Sequence, residues 1–195
     1  MSPTRNAEAA VTGPAGAAPA SAALAANALA TGVLLGTLQW IVFFLLQSYL
    51  ASTAVVYLLA TCVWLAGSLV GMVVPGQREP LWLGGAIACF YLFRALATAH
   101  PYAFAWLPVL LVLVAGMGAY AGRFFRCRAG VFPSTKWLFF LENTGFVTGM
   151  VITAVALYWT GDSYFAVAPL VGAAAVVVTG RSLMFASPRP TAASA

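Results

Sequence analysis

Charge is what this chain has least of: Asp, Glu, Lys and Arg make up 7% of its 195 residues, where a soluble globular protein carries about 25%. The acids are four, Glu8, Glu79, Glu142 and Asp162, and His100 is the single histidine. Three cysteines, Cys62, Cys89 and Cys127, form neither a CxxC pair nor a His-rich cluster. Thiol redox, zinc and bis-His haem sites therefore lack ligands. No GxSxG with a matching His, no HExxH, no P-loop and no glycine-rich dinucleotide fingerprint is present. With Glu8 near the start, the carboxylate pair nearest to a catalytic dyad is Glu79 with Glu142. These absences predict a protein that is not an enzyme and that holds no cofactor and no metal.

Apolar residues, by contrast, make up 63% of the chain, and the mean hydropathy is +0.95. Runs of about 18 or more apolar residues meet the length needed to cross a hydrocarbon core about 30 Å thick. Within lipid each backbone N–H must be bonded inside its own segment, so runs of this length imply helices and not a barrel. Six are expected: Leu29–Leu50, Thr53–Val74, Leu81–Ala99, about Ala103–Ala121, Lys136–Trp159 and Tyr164 to about Gly180. Between them fall turn signals: Ser52 and Thr53, Pro75-Gly76 with Pro80 where a helix can start, His100-Pro101-Tyr102, Pro133-Ser134-Thr135, and Gly161-Asp162-Ser163. Residues 1–28, rich in Ala, Pro, Gly and Ser and without the basic and apolar regions of a secretory signal, read as a disordered leader. Residues 29–181 read as the membrane domain and 182–195 as a disordered tail.

The nine basic residues orient this all-α, polytopic chain. Arg123, Arg126, Arg128 and Lys136 are expected to share one loop between the fourth and fifth runs. Arg5, Arg78, Arg181 and Arg189 fall on the same face if the helix count is right, and the opposite turns carry no Lys or Arg. The positive-inside rule then puts both termini in the cytoplasm, with a bacterial inner membrane as the location. Trp106, Trp159, Tyr102, Tyr158 and Tyr164 mark the outer boundary, and Trp82 and Trp137 the inner one. The net charge of +5 is accounted for by topology, so nucleic acid is not an expected partner; membrane lipids are, with a protein partner or a second copy of the chain.

A few polar residues stand inside the runs. Arg94 is about 20 Å along its helix from Leu81, at ~1.5 Å per residue, near enough to the far surface to snorkel; a ligand or partner contact is the alternative. Glu142, Asn143 and Thr144 begin a stretch in which Gly145 and Gly149 repeat at four-residue spacing, as Gly67 and Gly71 do in the second run. Such small-xxx-small faces let two helices approach closely. Glu142 and Gly145 share a face, which predicts a polar packing seam: either interhelical hydrogen bonding or a substrate or proton site. Gln39 is the polar candidate of the first run.

The run LFFLENTGFVTGM, through Glu142, Gly145 and Gly149, resembles a helix of the membrane domain of spermidine synthase-like proteins, relatives of the polyamine aminopropyltransferases. The stretch LLQSYLASTAVVYLLATCVWLAGSLVGMVVPG resembles that domain's first hairpin, with Ser52 and Thr53 at its turn and Gly67 and Gly71 in its second helix. Where the family shows an acidic residue followed by Trp and Arg, this chain has Gln39, Val42 and Phe44, and the 195 residues contain no Rossmann-like catalytic domain. The resemblance thus implies a membrane domain without the transfer reaction, a non-catalytic membrane subunit or scaffold. The turn GSLVGMVVPGQREP is also similar to a loop of major facilitator transporters, without its Asp. This makes a half-size transporter, working as a homodimer, the alternative.

Overall fold

The computed structural model describes the backbone of residues 17–50, 53–75 and 79–186 and the side chains of 22–50, 53–75 and 79–181. Arg5, Glu8, Ser52, Arg78 and Arg189, with most of the expected leader and tail, lie outside the described residues. The described chain is helical: α1 Ala17–Tyr49, α2 Ala54–Val73, α3 Glu79–Ala99, a 3-10 turn at Phe104–Trp106, α4 Leu107–Arg128, α5 Thr135–Thr160 and α6 Asp162–Ala186. All six α-helices are long and apolar enough to cross a membrane.

Helix limits follow local chemistry. Thr53 caps α2 through its hydroxyl, which accepts from the Val56 N–H at 3.4 Å. Pro108 falls in the first turn of α4, where no N–H is needed. Gly161, with φ of 58°, ends α5 in the left-handed region that a residue without Cβ adopts freely. The structure departs from two expectations. The leader was expected to extend through residue 28, but α1 begins at Ala17 in its Ala-rich second half, where helix propensity is highest; Leu24 and Ala25 then pack against a buried cluster that includes Phe124 and Leu138. The basic residues were expected in a loop, yet Arg123, Arg126 and Arg128 are the closing turns of α4, the connection is residues 129–134, and Lys136 lies in the first turn of α5.

The arginines are helical because α2 needs them. Arg123 Nη1 donates to the Val74 carbonyl at 3.1 Å, and Arg126 Nη1 donates to the carbonyls of Met72 and Val73 at 2.6 and 2.7 Å. The last carbonyls of α2, which have no partner in their own helix, are thereby satisfied. The Arg128–Glu79 ion pair, at 3.1 Å, joins the end of α4 to the start of α3. Asn27 Nδ2 donates to Thr179 Oγ1 at 3.1 Å, which ties the start of α1 to the end of α6 at this same basic face. At the opposite face the Tyr102 N–H donates to the Tyr49 carbonyl at 2.6 Å.

Two helix pairs hold the bundle together. α1 packs most extensively on α5, and α2 on α4; α1 with α6 and α3 with α4 come next. Both leading pairs are parallel and built on glycine. A Cβ on Gly32 or Gly36 of α1 would strike the carbonyl of Glu142 or Phe146, and one on Gly145 or Gly149 of α5 would strike that of Leu29 or Val33. In the other pair, Gly118 and Gly122 of α4 meet the carbonyls of Trp64 and Ser68, and Gly67 and Gly71 of α2 meet those of Ala115 and Ala119.

These two sets of contacts are one set repeated. A shift of 86 residues carries Leu29, Gly32, Val33 and Gly36 onto Ala115, Gly118, Ala119 and Gly122, and a shift of 78 carries Trp64, Gly67, Ser68 and Gly71 onto Glu142, Gly145, Phe146 and Gly149. Helices α1–α3 thus correspond to α4–α6. Since α1 leaves the basic face and α4 returns to it, the two triplets are inverted about an axis in the membrane plane. The symmetry is approximate: α1 touches α3, and α5 touches α6, more than their counterparts do.

Candidate functional site

Glu142, Gly145 and Gly149 share the face of α5 that meets α1, and Asn143 and Thr144 do not. Glu142 is 6% exposed, and Gly145 and Gly149 are buried beside it against α1. Asn143 and Thr144 are exposed on the outward face of α5, where the Thr144 hydroxyl donates to its own helix at Phe140 O, 2.7 Å. The helical period explains the split: residues one and two after Glu142 turn away from the face that Glu142 and Gly145 share. No hydrogen bond or ion pair holds the Glu142 carboxyl among the described residues. Arg94, half-buried on α3, is not brought to it, and Gln39 is half-buried on α1. The other carboxylate of the expected pair, Glu79, is engaged by Arg128.

A second polar group, unanticipated, lies between α1, α3, α4 and α6 near the basic face. Asn27 is 1% exposed and Thr31 and Tyr120 are both 0%. The Asn27 amide nitrogen donates to Val176 O and Thr179 Oγ1, each at 3.1 Å. A carbonyl can only accept, so this bond fixes the amide orientation and turns Oδ1 the other way. That Oδ1, Thr31 Oγ1, the Tyr120 hydroxyl and Arg128 Nε are all buried and meet no hydrogen-bond geometry among the described residues. The Tyr120 hydroxyl and Thr31 Oγ1 are nevertheless neighbours, and the Arg128–Glu79 pair acts on the Tyr120 hydroxyl through its charges.

Comparison with family models, with curated proteins and with solved structures gives no match. The site is therefore read from its own chemistry. Among the described residues no group of three or more His, Cys, Asp or Glu is gathered. Two apolar grooves lie at helix junctions: one of about 270 Å³ between α3 and α4, lined by Trp82, Gly85, Cys89 and Gly116, and one of about 220 Å³ between α1 and α2, lined by Trp40, Phe44, Gln47 and Tyr57. Neither groove includes Glu142 or the Asn27 group.

Asn27 was missed because it falls in the stretch read as leader, and Thr31 and Tyr120 because a lone hydroxyl in an apolar run carries no signal by itself. Gly32 with Gly36, and Gly118 with Gly122, were legible: each has the same spacing as the two glycine pairs that were singled out.

Proposed function

We propose that the protein is an inner-membrane transport protein for a small solute, in which two inverted three-helix repeats move against each other and the basic face lies in the cytoplasm. The observation that carries this reading is the register-matched inversion of the α1·α5 and α2·α4 seams. Inverted repeats supply two halves of opposite orientation around one site, which is the arrangement many secondary transporters use to open alternately to each side. In this form a single chain contains both halves, so a homodimer is not needed for the cycle. Pro169 inside α6 adds an interruption of the backbone ladder where such a helix can flex. The reading involves no bond-making chemistry.

A non-catalytic membrane subunit is the second reading, in keeping with the resemblance to a spermidine synthase-like membrane domain. It is favoured by the tightness of the glycine seams, backbone against backbone, with the two grooves lying outside them. Reconstitution of the purified chain into proteoliposomes, followed by stopped-flow measurement of solute-driven volume change, separates the two. Solute-selective flux above that of empty vesicles supports transport. Absence of flux with a stoichiometric partner retained in mild detergent supports the subunit.

A further inference from the structure

The inverted repeat provides an internal comparison for every buried position. Shifted by 86 residues, Asn27 and Thr31 of α1 correspond to Leu113 and Met117 of α4, and Tyr120 and Arg128 of α4 to Leu34 and Val42 of α1. Antiparallel packing of α3 on α4 and of α6 on α1 extends the same shift to those helices: Gly116 meets Cys89 and Leu34 meets Gly172, and buried Leu83 and Phe90 correspond to buried Pro169 and Val176. Glu79 then corresponds to Phe165. Leu34, Val42, Leu113, Met117 and Phe165 are all buried members of one apolar core. The same backbone arrangement is therefore filled with apolar side chains at one end of the molecule and with polar ones at the other. Helix packing does not require the polar set, and a buried polar atom without a partner costs about 1–3 kcal/mol.

We propose that Asn27, Thr31, Tyr120, Arg128 and Glu79 form a solute site, closed in this conformation and placed toward the basic face, for a small neutral molecule that both donates and accepts hydrogen bonds, of the carboxamide class. Charge and valence set that class. Arg128 and Glu79 neutralise each other, so a charged ligand would leave an unpaired charge in a buried place. Among the described residues the groups with capacity left are the Arg128 Nε–H donor, the Asn27 Oδ1 acceptor and the neighbouring Thr31 and Tyr120 hydroxyls, which keep one free O–H even when bonded to each other. A carboxamide matches them: its carbonyl accepts from Arg128 Nε–H and a hydroxyl, and its N–H donates to Asn27 Oδ1. The site is closed as it stands, Asn27, Thr31 and Tyr120 being at most 1% exposed, and Gly180 is the small residue at its wall, where an added Cβ would make van der Waals contact with Asn27 Nδ2 at 3.5 Å and Arg128 Nη2 at 3.9 Å; a solute enters when the helices part. Entry is from the basic face, since the side chains of Arg128 and Glu79, at 17% and 21% exposure, form the rim.

The inference names the solute class for the transport reading and rests on it, but binding is measurable without flux, so the two fail separately. The full chain, with Cys62, Cys89 and Cys127 replaced by Ala, carries either Thr31→Cys or its repeat counterpart Met117→Cys in nanodiscs, and is treated with methyl methanethiosulfonate in the presence and absence of acetamide. Thr31→Cys is expected to react at least about tenfold faster than Met117→Cys and to be protected by acetamide, but not by acetate or ammonium. Adding Tyr120→Phe, which keeps the ring and removes one hydrogen bond, raises the acetamide concentration needed for protection by about fivefold. Equal rates at the two positions, no effect of acetamide, or equal protection by acetate would overturn the site. In proteoliposomes, protection without acetamide flux contradicts the transport reading and leaves the site standing. Acetamide flux that Tyr120→Phe and Gly180→Leu leave unchanged overturns the site and leaves transport.

Discussion

Among the described residues Glu142 and Arg123 are the two most deeply buried charged side chains, and they do different work. Arg123 serves the end of α2 through Val74 O. A hydrogen bond to a charged donor contributes about 1.5–3 kcal/mol, so Arg123→Met is expected to lower stability by that order, whereas Arg94→Met is close to silent; thermal unfolding in detergent compares them. Glu142 holds the repeat position of Trp64, and both are 6% exposed, so this position accepts a large side chain of either polarity at the edge of a seam. Glu142→Gln, with the same shape and no charge, is therefore expected to change stability by less than about 1 kcal/mol and to leave solute flux as it was. Loss of flux in a folded Gln variant would make Glu142 the proton or substrate group that the sequence also allowed. Single residues were the least legible level. Glu142 stood out as an acid in an apolar run and proved buried, but Asn143 and Thr144, its neighbours in sequence, face outward. Thr31 and Tyr120 acquire meaning only from each other, across helices that are far apart in the chain.

At the scale of the element, six helices were legible because bilayer thickness imposes a length that any apolar run must meet. Their ends were less so. Arg123, Arg126 and Arg128 read as loop because charge marks a boundary, yet they continue α4 in order to bond the final carbonyls of α2, a long-range demand that local sequence does not contain. The glycine pairs are the elements' contact surfaces, and each contact is backbone on backbone, with no flexible side chain able to yield. Gly145→Leu and Gly67→Leu are accordingly expected to cost more than about 3 kcal/mol each, beyond the usual range for overpacking. As repeat counterparts they are expected to cost about the same. Gly84→Leu, where a Cβ meets nothing within 4 Å, is expected to have no effect. Size-exclusion profiles and thermal midpoints of the three variants check this, and a well-folded Gly145→Leu protein would remove the seam from the account.

For the molecule as a whole, five of the six described Lys and Arg residues, Arg123, Arg126, Arg128, Lys136 and Arg181, gather at one end, and Asp162 and His100 lie at the other, toward which Arg94 also falls. If the basic end faces the cytoplasm, as the positive-inside rule expects, Asp162→Cys reacts with an impermeant thiol reagent in intact cells, while Gly130→Cys reacts only after the membrane is opened; the reverse pattern would invert the orientation. The repeat itself left little trace in the sequence, because the two triplets share glycine spacing and burial but few identical residues: Trp64 stands where α5 has Glu142, and Thr31 where α4 has Met117. The most direct test of the inverted repeat is a density map of the full chain in a lipid nanodisc, resolved well enough to place side chains. The account predicts that a half-turn about an axis in the membrane plane lays α1–α3 on α4–α6, with Gly32 and Gly36 falling on Gly118 and Gly122, and Gly67 and Gly71 on Gly145 and Gly149. A bundle of sequential hairpins, α1 packed on α2 and α4 on α5 with either glycine pair facing lipid, would contradict it.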